Sequence, residues 1–151
     1  MSNQSFFRDK LPAALAEVRE VYVDLAQRPI ERNCLRQTEC CHFKLTGRTP
    51  YLTKGEALLA AMEFRASGRK SLPQTADGSC PMLDRETRNC LIYEARPFGC
   101  RTYFCSAAGG PIARREVIDL IRRLEHVDLV LNGNGPRILQ KAIAEALEEL
   151  R

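Results

Sequence analysis

The chain has 151 residues, 44% hydrophobic and 28% charged, the balance of one globular domain with a real apolar core. No stretch approaches the roughly 18 apolar residues of a membrane span. The polar opening Met1–Lys10 lacks the apolar run and cleavage site of a secretory signal, so the expected location is cytoplasmic. Net charge is +4 and pI 8.8, and 18 of the 23 basic residues are arginine, but acids are interleaved and no basic run exceeds two. That pattern reads as a mixed solvated surface and does not favour a nucleic-acid binder.

Apolar residues at Leu11, Leu15, Val18, Tyr22 and Leu25 repeat at helical spacing, which predicts an amphipathic helix over Leu11–Gln27. Pro12 fits its first turn and Pro29 closes it. Residues 30–49 are irregular. Thr49-Pro50-Tyr51-Leu52 reads as extended, and Thr53 with Glu56 forms a capping box for a second helix. That helix carries Leu58, Leu59, Met62 and Phe64 and ends near Gly68, a suitable left-handed cap.

A polar loop, Arg69–Ser79, turns at Pro73 and Asp77-Gly78. Cys80-Pro-Met-Leu, the hexapeptide Asp84–Asn89 and Cys90-Leu-Ile-Tyr93 predict a small irregular hairpin. Arg96-Pro97 then turns into a short helical or looped piece reaching Cys105, and Gly109-Gly110-Pro111 breaks the chain. Val117, Leu120, Ile121, Leu124, Val127 and Leu131 line a helix expected to start near Ile112 and to stop at Asn132–Gly135. Pro136 is expected to open a last helix with Leu139, Ala142, Ile143, Ala146 and Leu150 on its apolar face.

The expected fold is therefore mainly α, with little β. It is a small single domain over 1–151, its terminal amphipathic helices surrounding an irregular cysteine-rich centre at about 34–105. The two C-terminal helices, about 112–150, are expected to form a hairpin whose stripes serve the core, with a protein partner or second copy as the other use.

The seven cysteines lie at 34, 40, 41, 80, 90, 100 and 105. A disulfide scaffold wants an oxidising compartment and usually an even count, so thiolate metal ligation explains the cluster better. Soft thiolates select zinc, copper(I) or iron clusters. No C-x2-C knuckle is present, which argues against a conventional zinc finger. Cys34, Cys40, Cys41, Cys80, Cys90, Cys100 and Cys105 are the candidate metal ligands, and the spacing favours an iron–sulfur cluster over a zinc ion without excluding zinc.

Cys34-x2-Gln37-x2-Cys40-Cys41, then Leu52-Thr-Lys-Gly-Glu56, then Cys80-Pro-Met-Leu with Cys90-Leu-Ile-Tyr-Glu-x-Arg96-Pro97-x-x-Cys100-Arg101, resemble the YkgJ-type cysteine-cluster family. That family is named for a CxxCxxCC motif and held to chelate zinc or iron. Here Gln37 stands where the motif has its second cysteine, so seven thiolates divide as four plus three. A three-thiolate site with an open position, Cys105 as a replacement, and His42 as an eighth ligand all remain open.

The resemblance implies that Tyr93, Arg96 and Arg101 belong to the second block. They would pack there, pair with Glu94 or a carbonyl, or offset thiolate charge. It extends more distantly to flagellin lysine-N-methylases, which implies an S-adenosylmethionine-dependent enzyme as one alternative. A structural zinc module for partner binding is another. His126, with no cysteine nearby in sequence, reads as solvated.

Overall fold

The computed structural model describes residues 3–30, 49–75, 78–103 and 109–151. It is mainly helical, a small single domain with, among the described residues, one two-stranded sheet. Its α-helices are α1 (Asn3–Gln27), α2 (Lys54–Ala66), α3 (Phe98–Thr102), α4 (Ile118–Val130) and α5 (Leu139–Glu149). The strands are β1 (Tyr51–Leu52) and β2 (Arg137–Ile138). Among the described residues no helix is long and apolar enough to cross a membrane.

Helix α2 is the central element, packed against α1, α4 and α5, with every residue from Gly55 to Ala61 buried. So much burial leaves little polar face, which is why small residues dominate its first turns. The core around it holds Val18, Val21, Leu52, Leu58, Phe64, Leu120, Leu139 and Ile143. The apolar stripes of α4 and α5 point into this core, yet their main packing partners are α1 and α2 rather than one another.

Three boundaries differ from expectation. Helix α1 begins at Asn3, so Pro12 lies inside it. Phe7 and Leu11 pack on the core one turn apart and extend the apolar stripe upstream, while Pro12 sits on the exposed face, where a missing helix hydrogen bond costs least. Helix α4 starts at Ile118, because the Glu116 carboxylate accepts from Ala113 N (3.2 Å) and winds Arg114–Glu116 into a separate 3-10 turn. Downstream of Pro136, residues 137–138 form a strand before α5. They pair antiparallel with β1 (Tyr51 with Ile138, Leu52 with Arg137), and Leu139 N then donates to Pro50 O (3.0 Å).

Charged and polar ties fix the helices in register. Arg123 on α4 reaches Glu17 (2.7 Å) and Asp24 (2.5 Å) on α1. Buried Asp128 on α4 accepts from Lys54 N at the start of α2 (2.8 Å) and from Gly135 N (2.9 Å). An added Cβ at Gly133 would meet that carboxylate at 2.4 Å, so only glycine fits beside it.

Arg28, just past α1, grips Asp119 through both terminal guanidinium nitrogens and holds its carboxyl below the usual value of 3.8. The pair's stabilisation is thus complete above pH 3.8 and is lost as pH falls through the lowered value. Asp119→Asn should lower the melting temperature at neutral pH, and the gap to wild type should close on acidification. A gap constant from pH 7 to pH 2.5 would refute this.

Candidate metal centre

Cys34, Gln37, Cys40, Cys41, His42 and Cys105 lie outside the described residues. Cys80, Cys90 and Cys100 lie within one continuous unit, packed on α2, that runs from residue 80 to residue 102.

The unit begins with a turn. Pro81 follows Cys80, and Leu83 N donates back to Cys80 O (3.1 Å), which buries Cys80 beside the wholly buried Met82. The expected hairpin follows. Leu83 bridges Cys90 in antiparallel fashion, with Asp84 N to Asn89 O (2.9 Å) and Leu91 N to Met82 O (2.8 Å) around it. Its loop is the predicted polar hexapeptide, turned by Asp84 Oδ1 accepting from Glu86 N (3.0 Å) and by Arg88 at a positive φ of 63°. Cys90 thus sits on the returning arm, half-buried, and Ile92 plugs the core just beyond.

A 3-10 turn, Tyr93–Ala95, and the five-residue α3 complete the unit and place Cys100 in the middle of α3. The motif arginines hold this backbone. Arg96 Nε donates to Tyr93 O (3.0 Å), with its guanidinium 4.0 Å from the centre of the Tyr93 ring. Arg101 donates from Nε to Arg96 O and from Nη2 to Glu94 O (2.7 Å each) while stacking 4.0 Å above the Tyr22 ring of α1. Of the roles weighed for Arg96 and Arg101, carbonyl pairing is thus present. Burial pushes the Arg101 guanidinium down, and the charges of Tyr22, Glu94 and Cys100 act in the opposite sense.

Beneath the unit lies Glu56, the capping-box residue, 2% exposed. Its Oε2 accepts from Thr53 N (3.0 Å) and Thr53 Oγ1 (2.9 Å), as the sequence predicts. Its Oε1 accepts from Phe98 N (2.7 Å), at the start of α3, and from Tyr22 OH (3.2 Å). Burial raises its pKa, and the four hydrogen bonds pull the other way. Burial also pushes the Tyr22 phenol well up, with the Glu56 charge adding to it.

Two turns along α2, burial and the charge of Glu94 raise the pKa of Glu63. Sequence reasoning missed Tyr22 as a neighbour of Glu56 and Cys100, and no local spacing signals that contact.

His126 is exposed on α4, as expected. Among the described residues, no three His, Cys, Asp or Glu side chains come together in a way that could hold a metal ion. Neither the curated proteins nor the solved structures yielded a match to this chain. A family model matches residues 32–121, more than half the chain and both cysteine blocks; its description is CxxCxxCC, "putative zinc- or iron-chelating domain". This chain therefore belongs to the CxxCxxCC family of zinc- or iron-chelating domains.

Proposed function

We propose that the protein binds metal through the thiolates of Cys34, Cys40, Cys41, Cys80, Cys90, Cys100 and Cys105, and that the metal is iron in an iron–sulfur cluster rather than a zinc ion. One observation carries the reading: the family match spans both cysteine blocks, and the block that can be described is shaped by its own backbone hydrogen bonds and tied to the most buried helix through Phe98 N and Glu56. Ligands that must converge from segments far apart in sequence need such a frame.

The residues present suit a thiolate-bound metal. Cys80 is buried, Cys90 and Cys100 are half-buried, and all three are thiols. Arg101 sets a fixed positive charge beside Cys100, which offsets the negative charge that several thiolates bring. Cys80, Cys90 and Cys100 do not by themselves make a three-ligand group, so each site is completed by thiolates from Cys34, Cys40, Cys41 and Cys105. Bound in this way, an iron–sulfur cluster supplies electron transfer, or Lewis acidity at an iron that lacks a protein ligand. Gln37, in place of a cysteine, supports a coordination position not filled by sulfur. The absence of paired C-x2-C knuckles and the surplus of thiolates over one tetrahedral site favour the cluster over zinc. A reducing compartment, the cytoplasm, keeps these thiols available.

The test is anaerobic purification followed by metal and acid-labile sulfide analysis. Iron and sulfide in comparable amounts, with visible charge-transfer absorption, are the expected result. A colourless protein with stoichiometric zinc and no sulfide would sink the cluster, and a protein that takes up neither metal would sink metal binding altogether.

A further inference from the structure

Between Cys90 and Cys100 the backbone is made of pieces too short to hold their own shape. A three-residue 3-10 turn and a five-residue helix lie far below the length at which helices are stable alone, so neighbours must impose their geometry. Two ties do so, and they fall on either side of Cys100. Two residues before it, Phe98 N–H donates to the Glu56 carboxylate at 2.7 Å. One residue after it stands Arg101, which makes three contacts at once. Its Nε donates to Arg96 O and its Nη2 to Glu94 O, at 2.7 Å each, so one edge of the guanidinium spans both carbonyls. Its face lies 4.0 Å from the centre of the Tyr22 ring. That ring is fixed in turn, 5% exposed in the core and with its hydroxyl donating to Glu56 at 3.2 Å.

We propose that Arg101 is a positioning residue for the metal centre. The edge of its guanidinium staples the Cys90–Cys100 connector at Glu94 and Arg96, its face rests on Tyr22 of α1, and together these contacts fix the turn of α3 that presents Cys100. Shape is what the role needs. A planar fork serves two carbonyls along one edge and stacks on an aromatic ring at the same time, whereas an ammonium brings the same charge without the plane. Arg96 works locally: its Nε serves Tyr93 O (3.0 Å) and its guanidinium stacks on the ring of that same residue. Arg101 carries the tie across to α1. Partners behind a thiolate govern how it is aimed, and their loss weakens metal binding without removing a ligand.

The role rests on thiolate metal binding at Cys100, and the experiment keeps the two apart. The whole chain, stripped of metal under anaerobic conditions, is titrated with cobalt(II), following thiolate-to-cobalt charge transfer and the d–d bands, alongside helix content by circular dichroism. Arg101→Lys keeps the charge and removes the fork. Folded, it should bind cobalt about tenfold or more weakly than wild type, with altered d–d bands. Should it fail to fold, Tyr22→Leu, which removes the ring and leaves Arg101 in place, should show the same weakening. Tyr22→Phe, which keeps the ring without the hydroxyl, should recover most of that loss.

Asp119→Asn breaks the Arg28 pair elsewhere in the fold and should leave affinity and bands unchanged. Wild-type affinity and bands in folded Arg101→Lys or folded Tyr22→Leu would overturn the positioning role while leaving metal binding intact. An equal spectral change in Asp119→Asn would overturn it as general destabilisation. No thiolate charge transfer in the wild type would overturn metal binding, and the positioning role with it.

Discussion

Glu56→Ala should cost about 4 kcal/mol of stability, a large part of what a domain of this size possesses. The carboxylate is buried and accepts four hydrogen bonds, from Thr53 N, Thr53 Oγ1, Tyr22 OH and Phe98 N. Its removal strands two buried backbone donors at about 1–3 kcal/mol each, and the two hydroxyls lose a partner as well. At about 2–4 °C per kcal/mol, the melting temperature should fall by about 8–16 °C. Glu56→Gln should cost less, about 2 kcal/mol. The hydroxyls can rotate to accept from the new amide, but in either orientation its NH2 opposes one backbone N–H, that of Thr53 or that of Phe98. Thermal and urea unfolding of both variants checks the order. A Glu56→Gln protein as stable as wild type would show that these bonds carry no net weight.

Gly55→Val should be comparably damaging, about 3 kcal/mol, for a steric reason. An added Cβ at Gly55 would lie 2.7 Å from Val127 Cγ1 and 2.9 Å from Val18 Cγ2, with Leu131 Cδ1 at 3.8 Å. Those are side chains of α4 and α1, so Gly55 is where three helices meet. Valine is branched at Cβ and stiff at χ1, so neither neighbour can swing aside cheaply. The backbones would have to part. Gly55→Ala should cost less, because better helix propensity returns up to about 1 kcal/mol. Pairing it with Val127→Ala, which removes the closest atom, should give a double mutant more stable than the single costs sum to. Strict additivity in urea unfolding would mean that the approach is not tight.

The contrast between these two sites shows what the sequence could disclose. Thr53 and Glu56 announce a capping box because its partners lie three residues apart, and local geometry alone decides such a pattern. The other oxygen of the same carboxylate reaches Tyr22 and Phe98, 34 and 42 positions away, and no periodicity encodes that pairing. Gly55 reads as an ordinary residue inside a helix until α1 and α4 are laid beside it.

The element boundaries divide in the same way. The hairpin from Cys80 to Tyr93 and the stop at Asn132–Gly135 were legible, because proline, glycine and left-handed residues mark turns wherever they stand. The start of α1 and the existence of β2 were not. Pro12 reads as a beginning unless its ring is known to face solvent, and Arg137–Ile138 form a strand because Tyr51–Leu52 lies opposite. Membership of the metal-chelating family was legible in the cysteine spacing. The frame around Cys90 and Cys100 was hidden, because Glu56 reaches the main-chain N–H of Phe98, and a main-chain group carries no residue identity.

The central place of α2 also bears on how the chain acquires its structure. Residues 54–66 are made early, but the helix that covers one flank, α5, comes only at residues 139–149. During synthesis, Leu58, Leu59 and Phe64 therefore wait for Leu139, Ile143 and Leu147, on the order of 5–15 s at ordinary elongation rates. The pairing of β1 with β2 spans the same interval, and such long-range closure is slow to form. A nascent chain halted before Leu139 would present one uncovered apolar flank of α2, the kind of surface that chaperones hold.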